Sequence, residues 1–274
     1  MPIQLYDLPN SLLGLLICGI WMLIGLAGYF LFHRVCRTQF AEGEKNLAIA
    51  LLAVVATVNS LLMAFSAISV WEAYGAADKA VRGEAVTIGT LARNLVVFDS
   101  AEALKARDLL GNYARTVVDD EWPAMRKAQR SEAGWVAFEH VFTAVGHLDP
   151  DTPHEAALMP QIWELTNELH KHRRERLYAS EAEVPSTLWV VVVIGTLLTI
   201  ATTYVFPRTA FNTTAVGLLS LSLGLVFFFV VAMDRPFAGT ESIGPEPIVS
   251  AIERMDRWNE EARKALPQRK KEKS

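Results

Sequence analysis

Four apolar runs dominate the hydropathy pattern of the chain: 12–32, 47–70, 188–206 and 214–233. Each run is close to the roughly 20 apolar residues that a helix needs to cross the hydrocarbon core of a bilayer. Short segments, 34–45 and 207–213, join the first run to the second and the third to the fourth. The pattern therefore predicts four transmembrane helices arranged as two antiparallel hairpins.

The second run differs from the others because it continues into polar sequence without a break. Leu47 to Val70 is followed by Trp71-Glu72-Ala73-Tyr74, and no strong helix breaker occurs until well beyond Glu84. Since proline or glycine clusters are the usual helix terminators, their absence favours continuation. We expect one continuous helix to lead from the membrane into an aqueous domain.

The sequence between the second and third runs has the apolar period of helices rather than the alternation of strands. Its strongest start signal is Thr152-Pro153 with Glu155, a capping box that satisfies otherwise unpaired amide groups. Ser100 and Ser131 are further cap candidates. The region is therefore predicted to be a bundle of about four helices.

The last part of the chain has a second kind of helical pattern. Apolar residues lie on one side of a predicted amphipathic helix, at Ile248, Ile252, Met255, Trp258 and Ala262. Such a helix suits a membrane surface or a partner helix, whereas a solvated end is expected for Arg269-Lys270-Lys271.

These elements define an all-α membrane protein with an inserted helical bundle. Its predicted parts are a first hairpin, an aqueous domain, a second hairpin and a tail, at 1–74, 75–185, 186–234 and 235–274. The aqueous domain and both termini then lie on one side of the membrane.

The charge distribution leaves the side of the domain open. Cationic residues in the short loops place those loops in the cytosol by the positive-inside rule: Arg34, Arg37, Lys45 and Arg208. Cationic residues also flank the spans on the domain side and favour the opposite orientation: Lys79, Arg82, Arg173, Arg174 and Arg176.

Composition agrees with a membrane protein that has a sizeable aqueous part. The 274 residues are 51% hydrophobic and 20% charged, with a mean hydropathy of +0.23. A formal net charge of −4 gives no support for nucleic-acid binding. Two cysteines, Cys18 and Cys36, lie in and just after the first run, which excludes a disulfide framework.

The sequence offers little for enzyme chemistry. His170 and His172 diverge on a helix, and His140 and His147 have no cysteine or paired carboxylates at ligand spacing. Phosphate-loop, nucleophile-elbow and zinc-peptidase motifs are not present. We therefore expect no catalytic residue, no metal and no cofactor.

The second span carries polar residues along one side. A stripe of Asn59, Met63, Ser66 and Ser69 leads to Glu72 at its aqueous end, with Leu62 beside it. In an oligomer, these six residues are candidates to line a pore, with Asn59 hydrating an ion, Leu62 and Met63 forming a gate and Glu72 setting the charge at the mouth. The alternative is that Asn59 and the hydroxyls bond neighbouring helices.

Six charged residues outside the spans are candidates for structural ion pairs: Glu84, Glu121, Arg173, Arg176, Asp234 and Arg235. Arg173 and Arg176 share a helix face at i,i+3 and suit pairing with Glu84 or Glu121. Asp234 and Arg235, like Glu121, stand beside an aromatic residue and a proline, a pattern typical of a fixed corner.

Several segments, in this order, resemble the bestrophin-like domain family of bacterial membrane proteins: Leu5-Tyr6-Asp7-Leu8-Pro9, Lys45-Asn46, Trp71-Glu72-Ala73-Tyr74, Glu84-Ala85, Glu121-Trp122-Pro123, Arg173 with Arg176, Trp189, and Asp234-Arg235-Pro236-Phe237 with Gly239. The resemblance covers nearly the whole chain. Asn59 and Ala64 depart from it, since an aromatic residue and a glycine are expected in the second span.

This resemblance implies the four-span layout of bestrophins, which are oligomeric anion channels, and a multi-pass place in the cytoplasmic membrane of a bacterium. It favours a homo-oligomer, a tetramer or pentamer, that conducts inorganic ions across the lipid bilayer. A ring of Glu72 carboxylates favours cations, so ion selectivity stays open unless an arginine such as Arg82 or Arg176 neutralises it. The alternative function is a membrane-anchored sensor or scaffold whose helical domain binds a partner.

Overall fold

The computed structural model describes residues 8–36, 40–98 and 100–258, which are predominantly helical and contain no strand. In chain order the helices are α1 (Asn10–Val35), α2 (Glu42–Phe98), α3 (Ala101–Thr116), α4 (Trp122–Met125), α5 (Glu132–Gly146), α6 (Pro153–Glu181), α7 (Ser186–Thr202) and α8 (Ala210–Met233). A π-helical segment, Val117–Glu121, joins α3 to α4, and a 3₁₀ turn, Thr203–Val205, follows α7. Expectations for 5–7, Arg37, Ala262 and 269–271 lie outside the described residues.

Four of these helices, α1, α2, α7 with its 3₁₀ turn, and α8, are long and apolar enough to cross a membrane. The predicted all-α fold class with four transmembrane helices is therefore confirmed. The chain divides into two compact units, and the first consists of the chain up to Tyr74 together with Ala182–Ser242. We call it the membrane unit.

Close packing of α1 along α8 organises the membrane unit. At Gly224 of α8, a Cβ atom would lie only 3.0 Å from the Cα of Cys18, so a larger residue there would separate the helices. The Trp21 and Phe227 rings lie 4.5 Å apart, between the same two helices. Tyr29 donates its hydroxyl to the Pro207 carbonyl at 2.9 Å and so fixes the connection between α7 and α8 to α1.

Helix α2 is the longest element, with 57 residues. At 1.5 Å per residue it extends for about 85 Å, far more than a bilayer requires. It starts in the membrane unit and continues past Tyr74 into the second unit, which confirms the predicted continuous helix.

The second unit, here called the helical domain, consists of Gly75–Glu181 and the segment that begins at Ile243. Ser100 and Ser131 cap α3 and α5 with their side chains, as predicted. The capping box also forms, since the Glu155 amide donates to Thr152 Oγ1 at 3.2 Å and the Thr152 amide to Glu155 Oε2 at 3.3 Å. A core of fully buried side chains, among them Ile88, Leu110 and Phe138, fills the bundle.

The expected amphipathic helix near the end of the chain is helical from 246 to 258 within the described residues. Ile248, Ala251 and Met255 are buried, and Arg115 of α3 pairs with Asp256 at 2.8 Å. Its apolar side therefore packs on the helical domain itself. The predicted tail, 235–274, is divided at Ser242 between the two units.

Candidate functional site

The polar stripe of α2 begins with Asn59, whose side chain packs inside the membrane unit. Asn59 is 2% exposed, and its Nδ2 donates to Thr196 Oγ1 of α7 at 3.2 Å. Met63 is 4% exposed, and the Ser66 hydroxyl donates to the Leu62 carbonyl at 2.9 Å within α2. A buried amide with a partner on a neighbouring helix is what a membrane helix pair requires.

The six pore candidates differ in their exposure. Asn59, Met63 and Ser66 are buried, Leu62 is half-buried, and Ser69 and Glu72 are exposed. The contacts with Thr196 of α7 give Asn59 and Met63 a packing role within one chain, and Ser66 bonds within α2. Their part in a pore stays a prediction.

In the membrane-spanning part of α2, the face opposite Asn59 is not covered by other helices of the same chain. Small side chains recur there at i, i+4, i+7 and i+11, and all are exposed: Ala53, Thr57, Ser60 and Ala64. We call them the small-residue seam. Only 17% of the apolar window of α2 is buried, compared with 39% in α8. Among the four spans, α2 is therefore the one whose surface the chain covers least.

A second constellation lies in the core of the helical domain, around Arg176 of α6. Its Nε donates to Glu84 Oε2 at 2.6 Å, and its Nη2 donates to Glu84 Oε1 at 3.1 Å and to Glu121 Oε2 at 2.6 Å. All three side chains are 0% exposed. One guanidinium therefore joins two buried carboxylates, one from α2 and one from the π-helical segment.

Two further side chains complete this buried ion network. Arg173 donates its Nη2 to Glu121 Oε1 at 2.6 Å, so the network contains two acids and two arginines. Tyr113 of α3 donates its hydroxyl to Glu84 Oε1. Four of the six ion-pair candidates are thus brought together. Tyr113 is not among the residues that the sequence singles out, because its helical spacing is that of an apolar core side chain.

The electrostatics of the network follow from its burial. Desolvation lowers the pKa of Arg176, but Glu84 and Glu121 outweigh this effect and hold the pKa well above its ordinary value. Desolvation, followed by the charge of Glu84, raises the pKa of Tyr113 well above its ordinary value. Arg176 stays charged and Tyr113 stays protonated at neutral pH.

Local backbone geometry places Glu121 in the network. The segment Val117–Glu121 is π-helical, an insertion that is often found at functional positions. Gly134 of α5 packs directly on the Glu121 carboxylate, where a Cβ atom would collide with it. Trp122 follows in the chain and is 5% exposed, with Arg176 over its ring at 5.6 Å.

The remaining two ion-pair candidates lie in the membrane unit, at the end of α8. Asp234 accepts a hydrogen bond from the Val184 amide at 2.9 Å, and Arg235 pairs with Glu183. Gly239 has φ 92°, a conformation that L side chains rarely adopt. These contacts give the corner after the last span its shape.

The structure brings no metal-binding group together in the part of the chain that it describes, since no three His, Cys, Asp or Glu side chains cluster there. His172 instead contacts Glu175 of its own helix at 3.1 Å.

Comparison with known proteins identifies the family of the chain. No curated protein and no solved structure matches the chain. The family model of the Bestrophin-like domain matches residues 19–248, which include most of α1, the other three spans and the buried ion network. The chain therefore belongs to the Bestrophin-like domain family.

Proposed function

We propose that the protein is a homo-oligomeric ion channel of the cytoplasmic membrane, in which α2 lines the pore. The observation that carries this proposal is the small-residue seam, an exposed row of small and hydroxyl side chains on the least covered span. Family membership is consistent with a channel.

The seam suits the axis of an oligomer for two physical reasons. Small side chains let neighbouring helices approach closely without a large apolar side chain between them. Hydroxyl oxygens such as those of Thr57 and Ser60 can replace part of the hydration shell of an ion. The other exposed side of α2 carries Val58, Leu61 and Phe65, which suit lipid.

Glu72 is the charged candidate at the aqueous end of the span. It is exposed, but it follows Phe65 by seven residues and so lies on the apolar side of α2 rather than on the seam; copies of α2 around an axis would place a ring of carboxylates beside one mouth, outside the seam itself. Such a ring attracts cations. We expect Glu72→Gln to shift the reversal potential, measured in a salt gradient, in the direction that indicates greater anion permeability.

Planar-bilayer recording of the purified protein, combined with cysteine accessibility, tests the proposal. In a background where Cys18 and Cys36 are replaced by serine, Ser60→Cys should lose current when a charged, membrane-impermeant thiol reagent is added. Leu61→Cys is the matched control on the exposed apolar side, and Asn59→Cys is the control on the buried side. Both should keep their current.

Two results would overturn the proposal. The first is no current in any salt from protein that is folded and reconstituted. The second is a protein that runs as a monomer or dimer in detergent, which would favour the membrane-anchored sensor or scaffold. Current block at Asn59→Cys but not at Ser60→Cys would instead assign the pore to the polar stripe.

A further inference from the structure

The helical domain contains an open cavity of about 560 Å³ between the start of α5 and the end of α6. This volume lies within the range of 300–1,000 Å³ that is typical of small-molecule sites. Residues from both helices line it, and they include three arginines, Arg130, Arg173 and Arg174. The cavity has no part in the proposed pore.

Two buried polar atoms of residues in the lining have no hydrogen-bond partner among the described residues. Arg173 is 3% exposed, and its Nε is buried without a hydrogen-bond partner among the described residues. The Nδ1 atom of His170, which also lines the cavity, is likewise buried and unpartnered there. Native proteins satisfy nearly all of their buried polar atoms, so two unpaired atoms on residues that line one cavity point to a ligand close by.

The three arginines at the cavity differ in whether their charge is already paired with a carboxylate. Arg130 pairs with Glu181 through two contacts of 2.5 and 2.8 Å, and Arg173 pairs with Glu121. Arg174 donates only to the hydroxyl of Tyr178, at 3.0 Å, and has no carboxylate partner within the described chain. Among the described residues that line the cavity, Glu132 is the one acidic side chain.

The apolar part of the cavity lining includes two flat aromatic side chains. Trp135 and Tyr178 border the cavity, and the guanidinium of Arg173 lies over the Trp135 ring at 5.6 Å. The guanidinium of Arg174 lies over the Tyr178 ring at 5.5 Å. Aromatic rings and guanidinium planes both stack on flat apolar groups.

We propose that this cavity binds a small organic monoanion that carries a flat apolar group. The anionic group contacts Arg174 and the free donor of Arg173, and the flat group stacks between Trp135 and Tyr178. Burial, then the charges of Arg174 and Arg173, lower the pKa of His170, so its ring is neutral at pH 7 and adds a hydrogen bond without a charge.

Calorimetry of the full-length protein in lipid nanodiscs tests the proposal, with empty nanodiscs as the blank. Three probes separate the required features: naphthalene-1-sulfonate has the ring and the charge, 1-naphthol only the ring and inorganic phosphate only the charge. Naphthalene-1-sulfonate should bind saturably, at one site per chain and more tightly than the other two.

Variants at exposed positions then locate the site without threatening the fold. Arg174→Gln should weaken binding of naphthalene-1-sulfonate by about tenfold or more, since hydrogen bonds to charged groups contribute about 1.5–3 kcal/mol. Lys171→Gln removes the same charge from α6 outside the cavity and should change affinity less than about twofold. Glu132→Gln should strengthen binding.

The proposal is overturned by no saturable binding of naphthalene-1-sulfonate. Equal losses in Arg174→Gln and Lys171→Gln would overturn it as well, and so would weaker binding in Glu132→Gln.

Discussion

Replacement of Arg176 by methionine is the sharpest test of the buried ion network. The variant keeps most of the side-chain volume but removes the cation that joins Glu84 and Glu121. Arg176 makes three N–H···O bonds of 2.6, 3.1 and 2.6 Å to these carboxylates. At about 1.5–3 kcal/mol for each bond to a charged group, their loss alone would amount to about 4.5–9 kcal/mol.

Protonation limits that loss. A glutamate with the ordinary pKa of about 4.3 takes up a proton at pH 7 for about 3.7 kcal/mol, and a neutral acid no longer requires the missing cation. We therefore expect Arg176→Met to lower the free energy of unfolding of the helical domain by about 4 kcal/mol, within the range found when one partner of a buried pair is removed.

The same reasoning fixes the pH dependence of the variant. Its folded state holds an extra proton that the unfolded state releases, so its stability falls as pH rises. At pH 5 the protonation costs only about 1 kcal/mol, and the loss relative to the wild type should shrink accordingly.

Hydrogen exchange of peptides from α3 and α6, in full-length protein, measures this loss. At pH 7 the protected amides should exchange roughly a thousandfold faster in Arg176→Met than in the wild type, because each 1.4 kcal/mol is a factor of ten. The double variant Glu84→Gln with Arg176→Met keeps the Glu121–Arg173 pair and should recover part of the loss. Lys171→Met, at an exposed position of α6, is the control. Exchange within tenfold of the wild type at pH 7, or a loss that grows toward pH 5, would refute the reasoning.

Three further predictions concern the same domain and can be measured by thermal or chemical unfolding. Gly134→Ala should destabilise by about 1–3 kcal/mol, because its Cβ displaces the Glu121 carboxylate, and an unchanged midpoint would contradict this. Gly89→Ala, in open space on α2, should instead stabilise by up to about 1 kcal/mol, so a lower midpoint would count against the packing described. Tyr113→Phe should cost about 1.5–3 kcal/mol through the lost bond to Glu84. Because the pKa of Tyr113 is raised on folding, its contribution is complete below about pH 10 and is lost as pH rises further, so the variant should show a weaker alkaline destabilisation.

Much of the fold could be predicted from the sequence because its signals are local. Apolar length gave the four spans, the absence of breakers gave the continuity of α2, and Thr152 with Glu155 gave the start of α6. The shared face of Arg173 and Arg176 was also visible in the sequence, since i,i+3 spacing is a property of the helix alone.

The side to which each helix face turns, and the exact placement of residues along it, were harder to predict from the sequence, because they depend on which helices pack together. The period of α2 showed that Asn59 lies on a polar stripe, but it could not show that this side faces Thr196. The π-helical segment adds a residue to one turn, so helical periodicity alone does not place Glu121. The cavity at α5 and α6 is formed by residues distant in sequence, from Arg130 to Tyr178, and no motif marks it.

The separation of charges along the chain has a consequence for biosynthesis. Both acids of the buried network precede both arginines, and Glu84 is made 92 residues before Arg176. At about 5–20 residues per second, Glu84 waits on the order of 10 s at the ribosome before its counterion exists. A carboxylate without a counterion favours water over a protein core, so we expect the early helices to stay hydrated until α6 has been translated. The helical domain should then close only after Arg176 has been synthesised.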